Sequence, residues 1–213
     1  MNELFPVGCV IMASGLSRRF GSNKLLADFC GEPILCHAFA AADTPQLAAR
    51  IVVTRSEEVR SLCEKHSIPV LLHSLSGRND TVRLGLSCLL QQLPDLAGCM
   101  FLPGDQPLLT CSSVEAVAEA FRSNGPAEAE RLIFRLGSRT EENGASLAGS
   151  PVLFGSGFFP ELLTLPEGKG GSVLLRKYPA AVHTVGIAGR AELLDADTPE
   201  ALEQLKALAR QKG

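Results

Sequence analysis

The chain has 213 residues, of which 46% are hydrophobic and 20% charged; this excludes general disorder and supports a sizeable core. Twenty Lys and Arg against 23 Asp and Glu give a net charge of −3, so no whole-surface affinity for nucleic acid is expected, and phosphate binding must be local. No apolar run approaches the ~18 residues of a membrane span, and Met1–Pro6 carries Glu3 but no basic cluster, which argues against a secretory signal; the expectation is a cytoplasmic protein with no membrane partner.

In chain order, Val7–Ala13 reads as a buried strand, and Ile34–Ala42 as a helix started by Pro33. Arg50–Thr54 is a second strand, Ser56–His66 a helix and Pro69–Leu72 a short strand. Thr81–Leu93 reads as a helix capped by Asp80 or Thr81, and Gly98–Leu102 as another buried strand. Ser112–Arg122 is a helix opened by the capping box Ser112-x-x-Glu115. Arg131–Leu136 is a strand within the polar stretch 124–150, which is expected to form a loop or hairpin inserted over one edge. Val173–Lys177 is a short helix, and Thr198–Lys212 closes the chain with Thr198 as N-cap and Pro199 at the first helical position. Apolar strands separated by helices predict an α/β fold: a three-layer, Rossmann-like, mostly parallel sheet covered on both faces. No repeat or low-complexity linker interrupts the chain, so residues 1–213 are expected to form one domain. The seven cysteines (Cys9, Cys30, Cys36, Cys63, Cys88, Cys99, Cys111) form no CxxC pair, and buried reduced thiols are expected.

The most informative stretch is Met12–Lys24, directly after the first strand, where open α/β sheets bind ligands. Gly15 and Gly21 permit close backbone approach and positive φ. Arg18, Arg19 and Lys24 add three cations, and no acid lies between Glu3 and Asp28. Exposed N–H groups there can cradle phosphate. The pattern is neither GxGxxG nor GxxxxGK[ST]. Asp105 follows the strand Gly98–Leu102, where one carboxylate can hold Mg²⁺ against phosphate oxygens or make a local turn bond before Pro107. Asp195 and Asp197 precede the last helix; in an extended segment they would point together, or they serve the helix dipole. Ser76–Thr81 opens a helix with unpaired N–H groups. The Gly-rich run Glu167–Ser172 is either an anion site at a helix N-terminus or a flexible turn. His37, His66, His73 and His183 read as structural.

The Gly15-x-Ser17-x-Arg19-x-Gly21-x-x-Lys24 spacing resembles the signature loop of the MobA-like nucleotidyltransferases, and within them the molybdenum cofactor cytidylyltransferases. Gly104-Asp105-x-Pro107 and Asp195-x-Asp197-Thr198-Pro199 resemble two further segments of that family, in the expected order. The resemblance implies a nucleotide-diphospho-sugar transferase-like fold and transfer of CMP from CTP to the terminal phosphate of molybdopterin, with release of pyrophosphate. It implies nucleotide contacts from Ala13, Ser14, Gly15, Ser17, Arg18 and Gly21, and base or ribose contacts from Gly77 and Thr81. Arg19, Lys24 and Asp105 take catalytic roles; Asp105 and Asp197, with Asp195 as a further partner, hold Mg²⁺ or alternatively Mn²⁺. Ser150, where the family has His in a Gly-His-Pro segment, and Lys169 fall on the acceptor side. The implied partners are CTP or another NTP, a phosphorylated pterin acceptor and a molybdenum hydroxylase. Rival readings are the guanylyl version of the reaction, suggested because Ala13-Ser14-Gly15 matches neither base's usual tripeptide, and an isoprenoid-pathway cytidylyltransferase, suggested by the segment from Ser76 to Leu86. A further rival is a non-catalytic cofactor-binding chaperone.

Overall fold

The computed structural model describes residues 5–17, 19–138, 148–187 and 189–212, excepting the side chains of Arg78 and Lys212. The elements are β1 (Val7–Ala13), β2 (Asp28–Phe29), β3 (Glu32–Pro33), α1 (Ile34–Ala41), β4 (Ala49–Thr54), α2 (Glu57–Lys65), β5 (Val70–Leu72), α3 (Arg78–Gln92), β6 (Gly98–Pro103), α4 (Cys111–Arg122), α5 (Pro126–Ala129), β7 (Ile133–Ser138), β8 (Ala148–Gly155), α6 (Phe159–Leu163), α7 (Ser172–Lys177), β9 (Val182–Ile187) and α8 (Pro199–Lys212). Seven strands form one sheet in the order β5-β4-β1-β6-β8-β7-β9, while β2 and β3 form a separate two-stranded hairpin. β1 lies parallel between β4 and β6, with Ala13 opposite Thr54 and Met12 opposite Pro103. β8 runs against both neighbours, and β9 is parallel to β7.

Alternation along the central strands feeds two apolar layers. Val7, Cys9 and Ile11 of β1 pack with Leu35 and Phe39 of α1 and with Val117 and Phe121 of α4. Val10 faces the other way, with Val82, Leu86 and Leu89 of α3 and Leu162 of α6. A strand buried on both faces needs apolar residues at every position, which explains the unbroken run of β1. A third cluster joins α8, through Leu202 and Leu205, to Phe29 and Ile34, and includes Ala196. The last segment of the chain is thereby held beside the loop that follows β1.

Several expectations need correction. The third long helix starts at Arg78 rather than Thr81, with Gly77 as its N-cap; Asp80 sits inside the first turn and accepts from Gly77 N–H at 2.9 Å. The N-cap of α4 is Thr110, whose hydroxyl accepts from Ser113 N–H, while Glu115 binds Thr44 rather than a capping box. The described part of the stretch 124–150 contains the expected strand and hairpin, since β7 and β8 pair antiparallel, but places them within the sheet and not over its edge. It supplies α5, β7 and the start of β8, and β7 and β8 are interior strands of the sheet; residues 139–147 fall outside the described set. The strand β9 was not expected: its Val182–Ile187 run carries the exposed His183 and Thr184 and lacks a strong apolar signal. Cys9, Cys36, Cys63 and Cys99 are buried free thiols, but Cys30 is exposed, and Cys88 and Cys111 are half-buried. Among the described residues no helix is long and apolar enough to cross a membrane.

Candidate active site

The site lies at the carboxyl ends of β1 and β6. Gly104 N–H donates to Met12 O at 3.0 Å, and a Cβ on Gly104 would sit 2.9 Å from Leu35 and 3.0 Å from that carbonyl. Only glycine lets the chain turn here, and the turn sets Asp105 beside the loop after β1. That loop doubles back through left-handed residues at Ser17 (φ 48°) and Gly21 (φ 80°); Gly15 does not use positive φ. The Ser17 hydroxyl accepts from Lys24 N–H at 3.2 Å, and Asn23 caps the short 3-10 turn Lys24–Leu26. Ser17 thus fixes the backbone of Lys24, whose side chain is almost wholly buried.

Lys24 joins the two acidic segments that the sequence leaves ninety residues apart. Its Nζ is 2.5 Å from Asp105 Oδ2 and 2.8 Å from Asp197 Oδ1. Arg19 reaches Asp197 Oδ2 at 2.5 Å from the solvent side. Burial alone would lower the Lys24 pKa, but the charge of Asp105 and the hydrogen bonds to both carboxylates outweigh it, so the ammonium is held above its ordinary 10.5. The hydrogen bond from Lys24, with the nearby charges of Lys24 and Arg19, holds Asp197 below the usual carboxylate value. Asp195 behaves in the opposite way. Asp195 is exposed as a residue, but partial desolvation of its carboxylate, then the charge of Asp105, pushes it up, and the carboxylate accepts from Gln106 Nε2 at 2.9 Å. The two aspartates therefore do not share partners, as simple alternation in an extended segment suggested.

Two carboxylates on one ammonium define a single cation-sized point of hard oxygen donors. That donor set suits Mg²⁺ or Mn²⁺ completed by phosphate oxygens and water. Among the described residues no group of three or more His, Cys, Asp or Glu side chains that could hold a metal ion exists.

A second cluster caps the neighbouring strand ends. Ser14 Oγ donates to Val53 O at 3.0 Å and meets His73 Nε2 at 3.0 Å. The Arg55 guanidinium clamps Ser14 O through Nε, at 2.9 Å, and through its terminal nitrogen, and also reaches Leu75 O. Ala13 is buried, whereas Ser14 is half-buried and Gly15 exposed. At the start of α3, Thr81 is only 6% exposed, and Arg83 pairs with Asp80 at 3.0 Å. Ser150 lies on β8; since Val152 pairs with Phe101 in antiparallel register, Ser150 falls on the carboxyl side of β6. Lys169 is exposed, in a turn closed by its N–H to Pro166 O at 3.1 Å. Among the described residues, no hydrogen bond or ion pair of the Lys24 cluster reaches Ser150 or Lys169. Arg18 and the side chain of Arg78 lie outside the described residues. Sequence reasoning missed Arg55, His73 and Gln106. Their partners are 41, 59 and 89 residues away, and no local pattern signals such contacts.

Fold and site together define an α/β protein of the kind that binds ligands at the carboxyl edge of its sheet. The chain belongs to the MobA-like NTP transferase domain family, whose model matches residues 9–182. It is 30% identical over 117 residues to a 3-deoxy-manno-octulosonate cytidylyltransferase of Chlorobium phaeovibrioides, over 54% of this chain and 45% of that protein. It is 31% identical over 129 residues to a 2-C-methyl-D-erythritol 4-phosphate cytidylyltransferase of Streptomyces avermitilis, over 55% of this chain and 50% of that one. The chain thus spans about half the length of such curated relatives. Its fold matches that of CMP:2-keto-3-deoxy-manno-octonic acid synthetase complexed with CTP, with a TM-score of 0.74 at 18% identity over 98% of this chain and 100% of that one.

Proposed function

We propose that the protein is a nucleotidyltransferase that moves CMP from CTP to the terminal phosphate of a molybdopterin-type acceptor and releases pyrophosphate. The observation that carries the nucleotidyl-transfer part of this reading is the convergence of Lys24, Asp105 and Asp197 beside the loop after β1, while the molybdopterin acceptor rests on the motif resemblance. Family membership supports nucleotidyl transfer, and relatives named as cytidylyltransferases support CTP as donor. In this reading residues 1–213 act as one domain.

Transfer at phosphorus needs alignment and relief of charge more than covalent help. The loop from Ala13 to Gly21, with Ser14, Gly15, Ser17 and Arg18, wraps the triphosphate. Lys24 is buried and charged, so it is placed to leave its carboxylates for a developing pyrophosphate; Arg19, 70% exposed, is free to follow the phosphates. Asp105 and Asp197 would hold the divalent ion, which neutralises charge on the phosphate oxygens. Gly77 and the first turn of α3 face the base and ribose, and Ser150 and Lys169 the acceptor. The acceptor phosphate is anionic at neutral pH and needs no general base. His73 is tied to Ser14.

The likeness to 2-C-methyl-D-erythritol 4-phosphate cytidylyltransferases supports a second reading in which the acceptor is a phosphorylated polyol. Pyrophosphate release from CTP and Mg²⁺ decides between them. Turnover with molybdopterin and none with 2-C-methyl-D-erythritol 4-phosphate is expected; the reverse would install the second reading. Turnover with GTP in place of CTP would move the donor to the guanylyl version. Absence of turnover together with retained binding to a molybdenum hydroxylase would favour a chaperone.

A further inference from the structure

The segment before α8 offers two carboxylates, and only one of them faces the cation point. We propose that Gln106 is a positioning residue that sorts the pair: it holds Asp195 aside and leaves Asp197 as the carboxylate that joins Asp105 around a divalent ion. The inference rests on the nucleotidyl-transfer reading.

Gln106 is 4% exposed and sits next to Asp105 in the chain. Its Nε2 donates to Asp195 Oδ1 at 2.9 Å and to Leu193 O at 3.4 Å. One residue further on, Ala196 N–H donates to Asp105 O at 2.9 Å. The metal-side turn and the 193–196 segment are therefore zipped together at three points, and Asp197 emerges immediately beyond the last of them. Upstream, Glu192 fixes the same segment to the start of α4, accepting from Thr110 N–H at 3.1 Å and from the hydroxyls of Thr110 and Ser113 at 2.9 and 2.6 Å. With both ends fixed, the fate of each aspartate depends on which donor it meets. Asp195 meets the Gln106 amide, and Asp197 meets Lys24 and Arg19.

Gln106 is also a poor choice for mere packing. Its Oε1 is buried with no hydrogen-bond partner among the described residues. Leucine would fill similar space without an unpaired acceptor. A packing role therefore predicts that Gln106→Leu leaves Mn²⁺ affinity unchanged. A sorting role predicts that it loosens the metal, because Asp195 is released to compete and the segment loses two of its three ties.

The test is Mn²⁺ affinity by electron paramagnetic resonance with CTP present, beside the Tm of each variant. Asp197→Asn is expected to weaken Mn²⁺ at least tenfold. Asp195→Asn, which still accepts from Gln106, should change it less than threefold. Gln106→Leu should weaken Mn²⁺ three- to tenfold while the protein still unfolds cooperatively, with at most a small drop in Tm. Gln106→Asn keeps an amide but is one methylene short of Asp195, and should act likewise, which guards against a misfolded Leu variant. Wild-type affinity, within twofold, in both Gln106 variants would overturn the inference alone, as would Asp195→Asn losing Mn²⁺ as fully as Asp197→Asn. Failure of the wild-type protein to bind Mn²⁺ with CTP would remove the underlying reading as well.

Discussion

His73 shows how one contact sets a titration. Ser14 Oγ–H donates to Val53 O, so His73 keeps its proton on Nε2 and donates to Ser14. Its Nδ1 is buried without a partner among the described residues, so a second proton there has nothing to meet. Burial first, then the charges of Arg55 and Arg83, push its pKa below 6.5, against the opposing pull of Asp80. The folded protein then binds fewer protons than the unfolded chain in that window, so this contribution is complete above pH 6.5 and is lost as pH falls through the depressed value. Gln at position 73 can still donate to Ser14 without titrating. Urea midpoints at pH 7.5 and 5.5 should therefore fall more in the wild-type protein than in His73→Gln, and equal falls would refute the argument. Lys24→Met removes the cation shared by Asp105 and Asp197, and on the proposed reading kcat should drop by about 10²–10³, the usual loss for one preorganised donor at developing charge. A loss below threefold, measured by pyrophosphate release, would take Lys24 out of the chemistry. Arg19, Lys24, Asp105 and Asp197 were legible as candidates, because glycine spacing and strand ends mark them locally, and the structure brings these four side chains together. Arg55, His73 and Gln106 were not, because their meaning arises only when β1, β4, β5 and the segment before α8 become neighbours.

At the level of elements, α3 approaches β1 where glycine lets it. A Cβ on Gly85 would lie 2.5 and 2.8 Å from the two γ-methyls of Val10 and 3.1 Å from Val53. Valine cannot swing those methyls aside, because its χ1 is stiff. Gly85→Ala gains helix propensity of up to ~1 kcal/mol. Overpacking of a filled interface costs about 1–3 kcal/mol, so a net loss is expected from chemical denaturation. An unchanged or higher midpoint would mean that α3 shifts outward freely. Because the first turn of α3 also faces the proposed nucleotide site, the same variant should raise KM for CTP more than it lowers kcat. The strands β1, β4 and β6 were legible because burial on both faces imposes continuous apolar runs. The caps of α3 and α4 were misplaced by two to four residues, since each offers several polar side chains in a row and tertiary contacts decide between them. Ser112 and Glu115 fit a capping box in sequence, yet Thr44 claims Glu115 and Glu192 joins Thr110. β7 was legible as the strand Arg131–Leu136, but the place of the β7–β8 pair inside the sheet was not: β8 begins with Ala, Gly and Ser before its apolar run, so its edge toward the site carries no strand signal.

Over the whole molecule, a net charge of −3 coexists with a local group of Arg19, Lys24, Arg55 and Arg83 around the carboxyl edge of the sheet. Within the Lys24 cluster the cations are matched by carboxylates, so the bare protein holds few unpaired charges there. A triphosphate brought in alone would face Asp105 and Asp197 as well as Lys24; brought in with a divalent ion it meets a site whose carboxylates have a cation of their own. Nucleotide binding should therefore be strongly metal-dependent, and since only the folded chain assembles these residues, binding should raise Tm. Saturation at ~100 times Kd adds about 2.7 kcal/mol. For a chain of this size each kcal/mol shifts Tm by roughly 2–4 °C, so CTP with Mg²⁺ should raise it by about 5–11 °C. CTP without Mg²⁺ should give less than half of that shift, and Lys24→Met should lose most of it. GTP, ATP and UTP with Mg²⁺ should shift the wild-type protein less than CTP does. A larger shift with GTP would transfer the proposed activity to guanylyl transfer while leaving the architecture of the site intact. No shift with any of the four nucleotides at millimolar concentration would leave the Lys24–Asp105–Asp197 triangle as an internal brace and end the case for catalysis.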